Sequence, residues 1–225
     1  MNKNNLVTIT IPVILAIAVI IMSQRYIANG KVIRQQQLSL QTEKERSNIL
    51  QAKRGQYRFY ESMAIGQSID SSIILEELTG LRFTLKDINK NQPTLFFFID
   101  QTHCSSCWGK ALEIMVKNFQ PILSERTIVL TSYQNFRDIV IPLKELKIDS
   151  NVYNIVQGEL SPNIQKIGLP FMISVDPKQV IDGMLIVDSD LIEQVDFFVK
   201  AFIEKNQINM NGILKDLTSN RQQIE

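Results

Sequence analysis

The sequence predicts an α/β domain built on a mixed central sheet, and three observations predict it. Strand-length apolar runs, Pro93 to Ile99, Thr127 to Leu130 and Phe171 to Val175, are separated by stretches with helical apolar spacing. The chain has 225 residues, enough for one domain of common size plus an anchor and a linker. Hydrophobic residues make up 44% of it, so a real core can form. The formal net charge is +1, which argues against a nucleic-acid protein held by a broad basic face. No glycine-rich phosphate loop and no internal repeat is present.

The first expected element is an anchor at residues 1–22. Leu6 to Met22 is apolar apart from Thr8 and Thr10 and carries no charge. At about 1.5 Å rise per residue it falls near the lower limit for crossing a bilayer core. Pro12 is tolerated near a helix start. A cleaved signal peptide is the competing reading, but the run is long for one and Ile21-Met22-Ser23 is a poor cleavage site. The expectation is therefore a retained transmembrane helix in the cytoplasmic (inner) membrane. Lys3 precedes the run and Arg25, Lys31 and Arg34 follow it, a count that favours a cytoplasmic domain. The thiol chemistry argued below favours the periplasmic, extracytoplasmic side, and that side is the one expected.

Residues 23–64 read as a basic polar linker or helical stalk. The stretch is rich in Gln and almost free of Gly and Pro, with Arg25, Lys31, Arg34, Lys44, Arg46, Lys53, Arg54 and Arg58 set against Glu43 and Glu45. Its apolar spacing is too sparse for a sustained coiled coil. It is a solvated spacer, or else a basic stretch touching anionic lipid heads.

The folded domain is expected at residues 65–205, with a tail at 206–225. Ser71 to Leu85 reads as two short strands around Gly80, followed by a short turn from Lys86 to Asn91. Pro93 to Ile99 is apolar throughout, the signature of a strand covered on both faces. From Cys104 to Gln120, Trp108, Leu112, Met115, Val116 and Phe119 recur at helical spacing, and Pro121 marks the end. Thr127 to Leu130 is another buried-type strand. Phe136 to Ile148 is an amphipathic helix, interrupted or restarted at Pro142. Val152 to Val156 is a strand, and Ser161 to Ile167 a short helix with Ser161 as N-cap and Pro162 at its first position. Phe171 to Val175 and Gln179 to Val187 form a strand pair, and Leu191 to Lys205 a closing helix.

The chemistry is concentrated in Cys104-Ser105-Ser106-Cys107, which holds the only two cysteines of the chain. The tetrad follows a buried strand and opens a helix. A thiol at a helix N-terminus meets unpaired backbone N–H groups and the positive end of the dipole, which favour its thiolate. Cys104 is therefore the candidate attacking thiol, and Cys107, one turn deeper, the resolving thiol. A static disulfide is the bland alternative, but a bridge across three positions contributes little, because stabilisation grows with loop length. His103 is the only histidine, so one chain cannot assemble a four-ligand Cys/His zinc site, and no cofactor is expected.

His103 has two readings: a cationic imidazole favouring the Cys104 thiolate, or a loop side chain pointing to water. Lys110 reads as a solvated helix residue. Trp108 more often packs in the core than contacts a partner. Gly168-Leu169-Pro170-Phe171 sits directly before a strand, where the missing N–H of Pro170 is tolerated. The residues leave its peptide bond open between cis and trans.

With these motifs the region from Ile65 to Lys205 resembles the thioredoxin-like fold, in the membrane-tethered redoxin branch related to the cytochrome-maturation thioredoxins. The resemblance is carried by Leu85-Lys86-Asp87 after an N-terminal β-hairpin, by Phe96-Phe97-Phe98 leading to Cys104 and Cys107, and by Gly168-Leu169-Pro170 before Ile173-Ser174-Val175-Asp176. It implies that Pro170 is cis and packs against the redox pair, and that Leu169 offers backbone hydrogen bonds to a substrate segment. Leu169, His103 and Trp108 are the candidate substrate-binding residues. The sequence departs from that branch at His103, where Trp is usual, and at Ser105-Ser106, where Gly-Pro or Pro-Pro is common. Trp108 follows the second cysteine instead.

The function implied is thiol–disulfide exchange with exported proteins or apocytochromes, as a reductant fed by a membrane or periplasmic electron-donor protein. A peroxide reductase is disfavoured because Thr102 stands two, not three, residues before Cys104 and no proline is near. A copper-delivering relative needs a distant histidine, which the chain lacks. The remaining alternative is a tethered binding or scaffolding module that keeps the fold without turnover.

Overall fold

The computed structural model describes residues 3–88, 92–148, 151–161, 164 and 167–208. The chain divides into two compact units, Met1–Arg54 and Gly55–Glu225. Helix α1 (Lys3–Ala64) includes all of the basic, Gln-rich stretch. Strong helix formers dominate it, and Gln41 donates to Glu45 one turn on, at 3.0 Å. Among the described residues no helix is long and apolar enough to cross a membrane. The side chains of residues 1–18, on which most of the anchor expectation rests, lie outside the described residues.

The second unit is an α/β domain on one seven-stranded sheet of order β2-β1-β5-β4-β3-β6-β7. The strands are β1 (Ile74–Glu76), β2 (Arg82–Thr84), β3 (Thr94–Asp100), β4 (Thr127–Ser132), β5 (Val152–Gln157), β6 (Phe171–Val175) and β7 (Ile181–Ile186). β3 runs parallel to β4, and β4 to β5. The hairpins β1–β2 and β6–β7 pair antiparallel at the two ends. The remaining helices are α2 (Leu85–Ile88), α3 (Ser105–Glu125), α4 (Arg137–Glu145) and α5 (Gln194–Lys205).

β3 lies inside the sheet because its run from Thr94 to Ile99 is buried throughout, and only Asp100 at its end is partly open to water. Its side chains alternate between faces. Leu95, Phe97 and Ile99 join Leu112 and Met115 of α3 and Val199 and Phe202 of α5 in the main core cluster. Phe98 stacks on Phe171 with ring centroids 5.0 Å apart. The outer edge at β7 is covered by residues 66–69, through Ile181 N–H to Gln67 and Ile69 N–H to Gln179.

Three local features differ from expectation. The turn after β2 is a single helical turn, held by Asp87, whose carboxylate accepts from Thr84 N–H (2.9 Å) and Thr84 Oγ1 (2.6 Å). α3 does not end at Pro121. It kinks at Phe119 (φ −137°, ψ 31°) and continues to Glu125. Proline lacks an N–H and its ring clashes with the carbonyl four residues back, which accounts for a kink. Ile122, Leu123 and Phe119 are buried beyond or at the break, and that burial holds the last turn in place. α4 runs through Pro142 without interruption. The expected helix Ser161–Ile167 and the tail beyond residue 208 fall largely outside the described residues.

Candidate functional site

The loop between β3 and α3 is latched to itself. Asp100 Oδ1 accepts from Thr102 N–H at 2.9 Å and from the Thr102 hydroxyl at 2.7 Å. His103 N–H donates to the Asp100 carbonyl at 2.9 Å, and Asp100 N–H donates to His103 Nδ1 at 2.8 Å. This places Cys104 at the N-cap of α3 in extended conformation (φ −60°, ψ 114°). Its carbonyl accepts from Cys107 N–H at 3.0 Å and Trp108 N–H at 3.4 Å, so the helix begins there.

The two thiols sit in opposite environments. Cys104 is exposed and Cys107 is only 7% exposed, and both are free. The Cys104 thiol is lowered from 9.0 to about 7. The largest cause is the hydrogen bond from the Cys107 thiol, followed by the Ser106 side chain and the backbone N–H of Cys107. Ser106 Oγ lies 3.0 Å from Cys104 Sγ. Burial pushes Cys107 upward, and the hydrogen bond and charge of Cys104 add to this, while the backbone and side chain of Ser189 oppose it. Near neutral pH the thiolate is thus favoured on Cys104 over the buried Cys107.

His103 fits neither expected role. It is 8% exposed and edge-on to the Phe98 ring, with centroids 5.8 Å apart. Burial lowers its pKa below the ordinary 6.5, with Asp100 opposing, so it is neutral at pH 7. Its Nδ1 serves as an acceptor for the end of β3, and it is absent from the causes that lower Cys104. It is neither a cation beside the thiol nor a solvent-facing contact. Trp108 is likewise turned inward. It joins the main core cluster at 4% exposure, and its Nε1 has no hydrogen-bond partner among the described residues. Lys110 is exposed.

Sheet register carries Pro170 to the same end of the sheet as the cysteines, because Phe171 pairs with Phe98 near the end of β3. Pro170 is buried, and its carbonyl accepts from Val187 N–H at 2.8 Å. Leu169 is half-buried and Gly168 exposed. No peptide bond among the described residues is cis, so the cis Pro170 implied by resemblance is corrected to trans. Gly168 makes the change of direction instead, at φ +69°, a conformation open to glycine.

Two polar influences on the acidity of the cysteines escaped the sequence reading. Ser106 belongs to the tetrad itself, and a hydroxyl in the first helical turn was the available signal. Ser189 comes from 82 residues beyond Cys107, and only tertiary folding reveals it. Among the described residues no group of three or more His, Cys, Asp or Glu could hold a metal ion. A cavity of about 420 Å³ lies between the β1–β2 turn and α4, lined by Leu78, Phe136, Val140 and Tyr153 among others; none of its lining comes from the cysteine loop.

No protein-family model matches the chain, and no curated protein does. Among solved structures it is similar to the thioredoxin domain of a thiol–disulfide oxidoreductase from Bacteroides vulgatus. That match has 21% identity and a TM-score of 0.44, and covers 60% of this chain and 97% of that one. A thiol:disulfide interchange protein from a Bacteroides species matches at 22% identity and a TM-score of 0.45, covering 61% and 91%. The reduced Prx3 of Vibrio vulnificus, in complex with hydrogen peroxide, matches at 8% identity and a TM-score of 0.40, covering 60% and 97%. At these scores and identities the likeness carries no argument about chemistry, which rests on the chain's own thiols. The chain is thus an α/β protein whose structural neighbours include thioredoxin-like thiol–disulfide oxidoreductases.

Proposed function

We propose that the chain is a thiol–disulfide oxidoreductase that reduces disulfides in exported proteins. Cys104 is the nucleophile and Cys107 resolves the mixed disulfide. The observation that carries this reading is the contrast between the two sulfurs. Cys104 is exposed at a helix N-cap and lowered to about 7, and the buried Cys107 one turn on is raised. The thiolate is the attacking species, so only Cys104 is armed at neutral pH.

The reducing direction draws support from the same value. Strong oxidants hold the attacking thiolate far below neutrality, and that stabilises their reduced form. A thiol near 7 lacks this bias. Cys104 is exposed at the helix N-cap, open to a disulfide in a protein segment. Two electrons leave the Cys104/Cys107 dithiol for the substrate disulfide, and a membrane or periplasmic dithiol donor restores them. Anchoring through Leu6 to Met22, with the domain outside the cytoplasmic membrane, completes the proposal. Labelling intact cells with a membrane-impermeant thiol reagent tests that side, and Cys104 protected until lysis would reverse it.

Cys107→Ser should trap mixed disulfides through Cys104, visible as reductant-sensitive adducts on a non-reducing gel. The couple should equilibrate near the thioredoxin potential of about −270 mV rather than the DsbA potential of about −120 mV. A value at the oxidising end reverses the direction. Absence of any adduct, with Cys104 unreactive at neutral pH, favours a binding module without turnover.

A further inference from the structure

We propose that the groove between the β1–β2 turn and α4 docks an extended, acidic and apolar segment of a disulfide-bearing protein. What the segment does there rests on the exchange reading above; the docking itself does not.

The cavity of about 420 Å³ continues into a second of about 320 Å³. Leu78, Val140 and Lys144 line both, so the two form one trough along α4. Its floor is apolar, with Phe136 and Leu143 belonging to the buried core. Its walls stay apolar at the surface, where Leu78 is 46% and Ile141 64% exposed. Large apolar side chains gathered on one concave face mark a contact surface in a way that isolated ones do not.

α4 decides what charge the occupant carries. At 3.6 residues per turn, Val140, Lys144, Arg137 and Ile141 share an arc of about 100°. All four line the second cavity, while Asp138 and Glu145 project beyond the arc and line neither. Arg137 and Lys144 are exposed, and among the described residues neither is ion-paired. Glu77 is the one carboxylate among the described lining residues; it is half-buried and accepts from the Thr79 hydroxyl. The two cations stand about 10 Å apart along the helix axis, a span of about three residues of extended chain. A segment with carboxylates at that separation, and apolar side chains between them, complements this wall in charge and in hydropathy.

The trough points toward the cysteines. α4 follows β4, and β4 ends beside β3 with Ser132 opposite Asp100. In the connection, Gln134 N–H donates to Gln101 Oε1 at 3.4 Å, on the loop that leads to Cys104. The β1–β2 turn lies at the other end, since Glu76 pairs with Asn154 near the start of β5. A segment that runs up α4 past Arg137 therefore arrives at the loop presenting the exposed Cys104.

The test uses the full chain and labelled, cysteine-free octapeptides in which Val alternates with Glu, Gln or Lys. By fluorescence anisotropy the Glu peptide should bind about tenfold more tightly than the Gln peptide, with the Lys peptide weakest. Arg137→Gln combined with Lys144→Gln should remove that preference, and Ile141→Asp should weaken the Glu and Gln peptides alike. All three positions are exposed, so unfolding midpoints should match the parent chain. Equal affinity for the three peptides, or binding that neither variant changes, overturns the docking. Dimers of the chain that these variants dissolve, with no peptide bound, overturn it in favour of a second copy. The Glu and Gln peptides are then each joined to a cystine. The Glu form should be reduced with a lower KM, and the Arg137→Gln, Lys144→Gln chain should not distinguish the two. Equal KM values in the parent chain overturn the substrate role. Reduction of neither peptide overturns the exchange reading, and the segment's role with it, on a result separate from the binding measurement.

Discussion

Cys104 owes its acidity to short-range donors rather than to a neighbouring cation. Ser106 Oγ is 3.0 Å away, and the Cys107 thiol and N–H complete the set. Ser106→Ala should therefore raise the midpoint of the pH profile for Cys104 alkylation above its value of about 7. A midpoint that stays put would assign the effect to the backbone and Cys107 alone. His103 is a structural residue with its own pH signature. Its folded pKa lies below the ordinary 6.5, so the unfolded chain binds the proton first. Its contribution is present above the ordinary pKa of 6.5 and is lost as pH falls from there through the lower folded value. Urea unfolding between pH 7 and pH 5 should show stability declining, and His103→Gln should flatten that slope. Adjacency to Cys104 made His103 look chemical in the sequence, but the orientation of a loop side chain is set by what its atoms bond to.

At the scale of elements, apolar periodicity was a reliable guide where burial decides. β3 is buried on both faces, and α3 buries Trp108, Ala111, Leu112 and Met115 at helical spacing. Leu112→Ala should destabilise the domain by about 2–5 kcal/mol in chemical unfolding, since it empties a fully buried site between α3 and the sheet. A loss well under 1 kcal/mol would mean the helix is not docked there. The continuation past Pro121 was not legible, because proline forbids a bond locally while the burial of Ile122 and Leu123 is a tertiary gain. The same holds for the turn at Leu85–Ile88, where Asp87 supplies the cap. Gly158 shows a further tertiary limit. Its φ is +92°, and an added Cβ would stand 2.8 Å from Ile73 Cγ2. Gly158→Ala should thus destabilise through strain and clash together, lowering the thermal midpoint of unfolding.

At the scale of the whole molecule, the compact unit around the sheet begins at Gly55. Tyr57 and Ala64, in the last turns of α1, are buried, and Tyr57 reaches Asp188 across 131 residues of sequence. A fragment of residues 55–225 should fold cooperatively, while one of residues 65–225 should unfold at lower urea. Tyr57→Phe in the full chain should cost about 1–3 kcal/mol by withdrawing a donor from a buried carboxylate. Equal midpoints for the two fragments would remove α1 from the domain.

By itself the sequence determined the α/β class, the central strand, the helix that follows it and the placing of the two cysteines at the junction between them. These are properties of pattern: burial periodicity and a CxxC tetrad at a strand–helix junction are written in contiguous residues. Only the tertiary structure decided that His103 is neutral and inward, that α3 continues past Pro121, and that the Pro170 peptide bond is trans. Each of those depends on contacts between segments that the chain must fold to bring together, or on the direction a side chain takes once neighbouring hydrogen-bond partners are fixed. No local pattern encodes them, because the free energy that selects them exists only in the assembled core.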